Sequence, residues 1–103
     1  GNDLELSHLR AYLILDFAIN DLEKFAEYIQ RIPDHIAKHS GKYLVRGAIP
    51  TVMEGEWAPE RVVVIEFPAR INAEEFLQDP AAASLFEIRH NTTTSKLILV
   101  ESE

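Results

Sequence analysis

The sequence predicts an α+β domain in which a four-stranded antiparallel sheet carries its helices on one face. Three observations predict it. Apolar, β-branched segments at residues 9–17, 61–67 and 96–101 are too short for core helices and read as strands. Two intervening stretches, 20–41 and 72–92, repeat apolar residues at helical spacing. The chain of 103 residues has length for one core, with 47% hydrophobic and 26% charged residues.

The elements follow in order. Residues 9–17 form a strand covered on both faces. Asn20 or Asp21 caps a first helix, where Leu22, Phe25, Ile29, Ile32 and Ile36 make one stripe. Pro33 lies inside that stripe and should kink the helix or divide it. Ser40-Gly41 ends it, with Gly41 in the left-handed position. Residues 42–46 and 51–54 read as one strand broken near Gly47 and Pro50, or as two short ones. After a loop at 55–60, the 61–67 strand pairs back as an antiparallel hairpin. Asn72 and Glu75 have the spacing of a capping box, Asp79-Pro80 punctuates, and a further helix runs over 81–92. The last strand is 96–101. The order β-α-β-β-α-β is the split βαβ arrangement called ferredoxin-like. Residues 9–103 are expected to form this one domain. Residues 1–8, opening on Gly1 where a Met would be usual, read as a disordered or tag-derived segment.

Composition narrows the function classes. The net charge of −7, with 17 acidic against 10 basic side chains, speaks against nucleic-acid and anionic-membrane partners. Cysteine is absent, which removes disulfides, thiolate chemistry and Cys-based zinc sites and suits a cytoplasmic location. No apolar run approaches the roughly 20 residues of a membrane span, and no secretory signal is evident at the N-terminus.

With helices on one face, the other sheet face should alternate toward polar, yet both sets are apolar. Tyr12/Ile14 and Leu13/Leu15, Val62/Val64 and Val63/Ile65, and Ile98/Val100 and Leu97/Leu99 leave neither face wet. The economical cover is a second copy, sheet against sheet, giving a homodimeric α/β barrel. A tetramer edge or an unrelated partner protein is the alternative.

Charges set into apolar strands are the candidates for chemistry. Asp16, Arg46, Glu54, Arg61 and Glu66 all lie in or at the ends of strands. Counting by two places Leu44 with Arg46, and Val62 with Val64 and Glu66. Such charges either pair with one another or line a wet pocket between sheet and helices. In the pocket reading Arg46 anchors an anion, His39 or Glu54 moves a proton, and Arg61, Glu66, Trp57 and Arg89 contact substrate. Trp57 serves equally as a loop anchor, and Arg89 equally as a solvated helix residue. His35 and His39 are four apart, but no third ligand accompanies them, so no metal is expected. No nucleophile elbow, P-loop or dinucleotide fingerprint occurs, and no cofactor is expected.

The segments Ser40-Gly41-Lys42-Tyr43-Leu44-Val45-Arg46-Gly47, Glu54-Gly55-Glu56-Trp57-Ala58-Pro59-Glu60-Arg61 and Val62-Val63-Val64-Ile65-Glu66-Phe67-Pro68 resemble domain-of-unknown-function family 1330, with similarity from about Tyr12 to Val100. The resemblance implies ferredoxin-like dimers of the dimeric α/β-barrel superfamily. That superfamily includes cofactor-independent monooxygenases, haem-degrading enzymes, dismutases and domains without known activity. His39, Arg46, Glu54, Arg61, Glu66 and Arg89 match the family's polar pattern, while Ser40 stands where a glycine is usual. The expectation is a cofactor-independent oxygenase, isomerase or lyase acting on a small hydrophobic acid. A non-catalytic ligand-binding or structural homodimer is the alternative.

Overall fold

The computed structural model describes residues 9–103, so the expectation for residues 1–8 lies outside the described residues. The order is β1 (Arg10–Ile19), α1 (Leu22–Lys38), β2 (Lys42–Ala48), β3 (Arg61–Phe67), α2 (Arg70–Gln78), a 3-10 turn (Pro80–Ala82), α3 (Ala83–Thr92) and β4 (Thr93–Ser102). The strands form one antiparallel sheet in the order β2-β3-β1-β4. This is the ferredoxin-like arrangement, with the second helical region split in two.

The core lies between the sheet and the helices. On β1 Ala11, Leu13, Leu15 and Phe17 are buried, while Tyr12, Ile14 and Asp16 alternate with them on the open face and are half-buried. Phe25, Ile32 and Ile36 of α1 meet the sheet, and Asp21 caps the helix by accepting the Lys24 amide proton. Of the two outcomes expected at Pro33, division does not occur: α1 runs through it as one helix. Proline costs a helix interior ~3 kcal/mol. Burial of Phe25 before it, with Ile32 and Ile36 around it, contributes ~1.5–3 kcal/mol per side chain and holds both halves on the same sheet.

Residues 51–54 are not a strand. Ile49, Val52 and Met53 are exposed, Pro50 has no amide proton for a ladder, and β3 begins only at Arg61, so no partner reaches them. The whole of 49–60 is a loop. Gly47 does not break β2 but stays within it, at a φ of 79°. The β2–β3 register shifts between Tyr43 and Val45 and again between Arg46 and Ala48. Tyr43 therefore opposes Ile65 and Arg46 opposes Val63, both on the helix-facing side. Counting by two had paired Arg46 with Leu44, and the bulge overturns that.

The Asn72/Glu75 capping box is not formed. α2 starts three residues earlier, with Ala69 as N-cap and no side-chain cap, and the Asn72 amide donates to the Ala69 carbonyl. α3 passes into β4 without a loop. The Thr92 hydroxyl donates to the Ile88 carbonyl, the Thr93 hydroxyl donates to the Arg89 carbonyl, and the Thr92 carbonyl accepts the Asn20 and Asp21 amides. These bonds start β4 at Thr93, three residues before the apolar run that announces it.

Candidate binding cleft

A cleft of about 350 Å³ lies between the helix-facing side of the sheet and α1, α2 and α3, which is within the usual range for small-molecule sites. Its lining is aliphatic and aromatic apart from Gly47, two tyrosines and three arginines: Tyr28, Tyr43, Arg46, Arg61 and Arg89. Among the described residues no carboxylate and no histidine lines it, in a chain of net charge −7.

Arg89 carries most of the electrostatic weight. It follows Leu85 by four residues and Phe86 by three, so the geometry of α3 turns it inward with them, and it is 5% exposed. One guanidinium nitrogen donates to the Ser95 hydroxyl at 3.1 Å, and the group lies 5.9 Å from the Phe86 ring. Its Nε is buried without a partner. A buried cation normally finds a carboxylate. Among the described residues the other three arginines outside the cleft each do: Arg10 pairs with Glu66, Arg31 with Glu27, and Arg70 with Glu74 and Glu101. The three that line the cleft have none.

Arg46 sits 4.6 Å from the centre of the Tyr43 ring, and Arg61 donates to the Gly47 carbonyl at 3.1 Å. Both are exposed at the rim and are held by β2. Tyr28, on α1, stacks on Phe25 and feels the Arg89 charge. Desolvation lifts its hydroxyl above the ordinary range, although Arg89 pulls the other way. Desolvation, reinforced by Tyr28 and opposed by Arg46, pushes Tyr43 up to about 12. Both phenols are thus protonated near neutral pH and act as donors.

The remaining expected residues lie elsewhere. The ring nitrogen Nε2 of His39 is 2.7 Å from Asp79 Oδ2, which Lys38 also meets at 2.9 Å, and the Ala81 amide donates to Oδ1. These contacts, led by His39, hold the Asp79 carboxyl well below the ordinary range. His39 therefore turns toward Asp79, and the cleft is lined without it. Glu54 is exposed in the 49–60 loop. Trp57 is 65% exposed and donates its indole proton to Asp16 on the open face. Glu66, also on the open face, lies against Lys42 and Arg10; desolvation raises its carboxyl, but Lys42, Tyr12 and Arg10 together leave it below the ordinary range.

The structure thus gathers Arg46, Arg61 and Arg89 and leaves His39, Glu54, Trp57 and Glu66 outside. Sequence reading passed over Tyr28, Tyr43 and Ser95. A signal existed for Tyr28, which lies three residues after Phe25 and four before Ile32 and so belongs to the inward stripe of α1.

Among the described residues, no group of three His, Cys, Asp or Glu side chains could hold a metal ion, and no helix is long and apolar enough to cross a membrane. The model of the family described as Domain of unknown function (DUF1330) matches residues 10–102. No curated protein matches the sequence. Among solved structures, a protein of unknown function from Rhodopseudomonas palustris superposes with a TM-score of 0.77 at 16% identity, covering 93% of this chain and 84% of that one. SnoaB from Streptomyces nogalater, described as a cofactor-independent oxygenase, gives 0.65 at 14% identity, covering 92% and 94%. A protein from Bacteroides fragilis, described as dimeric, of unknown function and ferredoxin-like, gives 0.51 at 14%, covering 92% and 97%. Likeness at this level of identity is likeness of fold.

Proposed function

This chain belongs to the domain-of-unknown-function family 1330, and from that membership, which brings a fold without an activity, we propose that its cleft binds a small hydrophobic acid with the anionic head at Arg89. The observation that carries the reading is a guanidinium buried to 5% exposure that has, among the described residues, an unpartnered Nε and no carboxylate partner. An apolar body fits the aliphatic and aromatic walls, and the anion supplies the missing counter-charge.

The chemistry this lining supports is stabilisation of negative charge. Guanidinium groups donate and do not accept, and protonated phenols have a proton to donate, so Tyr28, Tyr43 and the arginines favour a carboxylate or an enolate over its neutral form. Proton abstraction has no base there, because His39 and Glu54, the expected bases, do not line the cleft. The enzymatic form of the reading is cofactor-independent turnover of an acid that ionises before it binds, and the description of the Streptomyces nogalater neighbour supports it. Binding without turnover is the simpler form, and a lining without carboxylate or imidazole among the described residues favours it. A second copy covering the open sheet face completes the proposal, supported by the apolar side chains there and by the dimeric description of the Bacteroides fragilis neighbour.

Thermal shift and titration calorimetry at neutral pH with aromatic and aliphatic acids, each beside its methyl ester, test the reading. A binding acid raises the melting temperature, the ester does not, and Arg89→Gln weakens the acid by roughly 10–100-fold, the usual worth of a charge-assisted hydrogen bond. Equal shifts from acids and esters would overturn it, and that comparison needs only the unaltered protein.

A further inference from the structure

We infer that the cleft's ligand carries two anionic groups, one at each end of an apolar body, as an extended dicarboxylate does. The inference rests on the acid-binding reading above and specifies its substrate class.

The arginines stand at opposite sides of the sheet. Arg89 is held by Ser95 of β4. Arg46 lies over Tyr43 of β2, and Arg61 donates to Gly47 of β2. In the sheet order β2-β3-β1-β4 these anchors are three strand spacings apart, ~14 Å. Arg61 itself springs from β3, two strand spacings (~10 Å) from Ser95, and reaches away from it to Gly47 of β2. Arg61 opposes Phe17, and Phe17 in turn opposes Ser95, so the apolar Phe17 ring lies in the row between the two ends. The floor beside it is Leu15, Val63 and Ile65.

One carboxylate satisfies one end. Arg89 accounts for the anion of a monoacid and leaves Arg46 and Arg61 without a carboxylate, yet the chain aims both at the same cleft by specific means. The bulge in β2 puts Arg46 on the helix-facing side against the strand alternation, and Gly47, at a φ of 79°, presents the carbonyl that Arg61 uses. Every other arginine has a carboxylate partner among the described residues, so the three unpaired ones mark where negative charge comes from outside. Two such places, divided by apolar wall, fit a ligand charged at both ends.

Calorimetry with the octanedioate-to-dodecanedioate series, each compared with its monocarboxylate and its monomethyl ester, tests this. At least one dicarboxylate should bind ten-fold or more tightly than its monoacid. The double variant Arg46→Gln/Arg61→Gln, altered only at exposed side chains, should erase that preference, so that the dicarboxylate binds no more tightly than its monoacid. Equal affinity for the mono- and dicarboxylates would overturn the inference and leave acid binding standing, as would a double variant that weakens both ligands alike, the mark of general electrostatic steering. Failure of every acid to bind would remove the acid-binding reading and this inference with it.

Discussion

At the end of α1, Ser40 and Gly41 divide between them two demands that glycine usually meets alone. Ser40 takes the left-handed conformation, at a φ of 66°. The bonds around it, from the Ser40 amide to the Ala37 carbonyl and from the Gly41 amide to the Ile36 carbonyl, are those of a Schellman cap. Gly41 instead allows close approach: a Cβ there would come 2.6 Å from Phe67 Cε1 and 2.8 Å from Ile36 Cγ2, both in the core. Opposite effects follow from neighbouring changes. Ser40→Gly relieves a left-handed side chain and should stabilise by up to about 1 kcal/mol. Gly41→Ala overpacks the core and should cost about 1–3 kcal/mol. Urea denaturation checks both, and a Gly41→Ala protein as stable as the parent would refute the packing account. The turn was legible in Ser40-Gly41, but which residue turns left was not, because Phe67 decides it from across the fold. Arg89 teaches the same lesson. Its place three and four residues after Phe86 and Leu85 marked an inward face, while its lack of a carboxylate partner among the described residues is a fact of tertiary packing.

Among the elements, the Asp79 cluster joins the end of α1 to the turn after α2. Lys38 and His39 come from the first, and Asp79 caps the 3-10 turn through the Ala81 amide. A carboxyl held below its ordinary value in the folded state stabilises fully above the unfolded value and loses that contribution as pH falls through the folded one. The fold should therefore weaken progressively below about pH 4, near the unfolded carboxylate value. Asp79→Asn should lower the melting temperature at neutral pH and flatten its fall in acid. Melting curves that stay parallel to the parent's from neutral to acid would show that the cluster contributes nothing to the linkage. At this scale the strands and α1 could be read from period and composition. The β2 bulge, the start of α2 at Arg70 and the loopless α3–β4 junction could not, since strand register and helix packing fix them rather than local preference.

Across the whole molecule, the open sheet face is the surface whose exposure is hardest to account for in one copy. Val45 opposes Val64, Val64 opposes Ile14, and Ile14 opposes Ile98, so one apolar row crosses all four strands. Ile98 is 55% exposed and Val100 41%, while the flanks carry Glu66 with Arg10 and Lys42, and Asp16 with Trp57. An apolar centre with a charged rim is the anatomy of an interface between proteins. Ile49, Met53 and Trp57 on the 49–60 loop add exposed apolar surface beside it. The proposed dimer buries this row against its own copy, and a stable interface needs on the order of 1,000 Å² in total. Sedimentation velocity at micromolar concentration should show twice the subunit mass. Val64→Lys with Ile98→Lys places two charges in that row on each copy, and like charges brought together there cost several kcal/mol, enough to weaken association by about 100-fold or more. Because the row lies on the face away from the cleft, the altered protein should become a folded single subunit that still binds acids at Arg89. A parent protein that sediments as one subunit at that concentration would refute the dimer while leaving the cleft intact. A variant that separates and also loses acid binding would show instead that the second copy shapes the cleft through the sheet the two faces share.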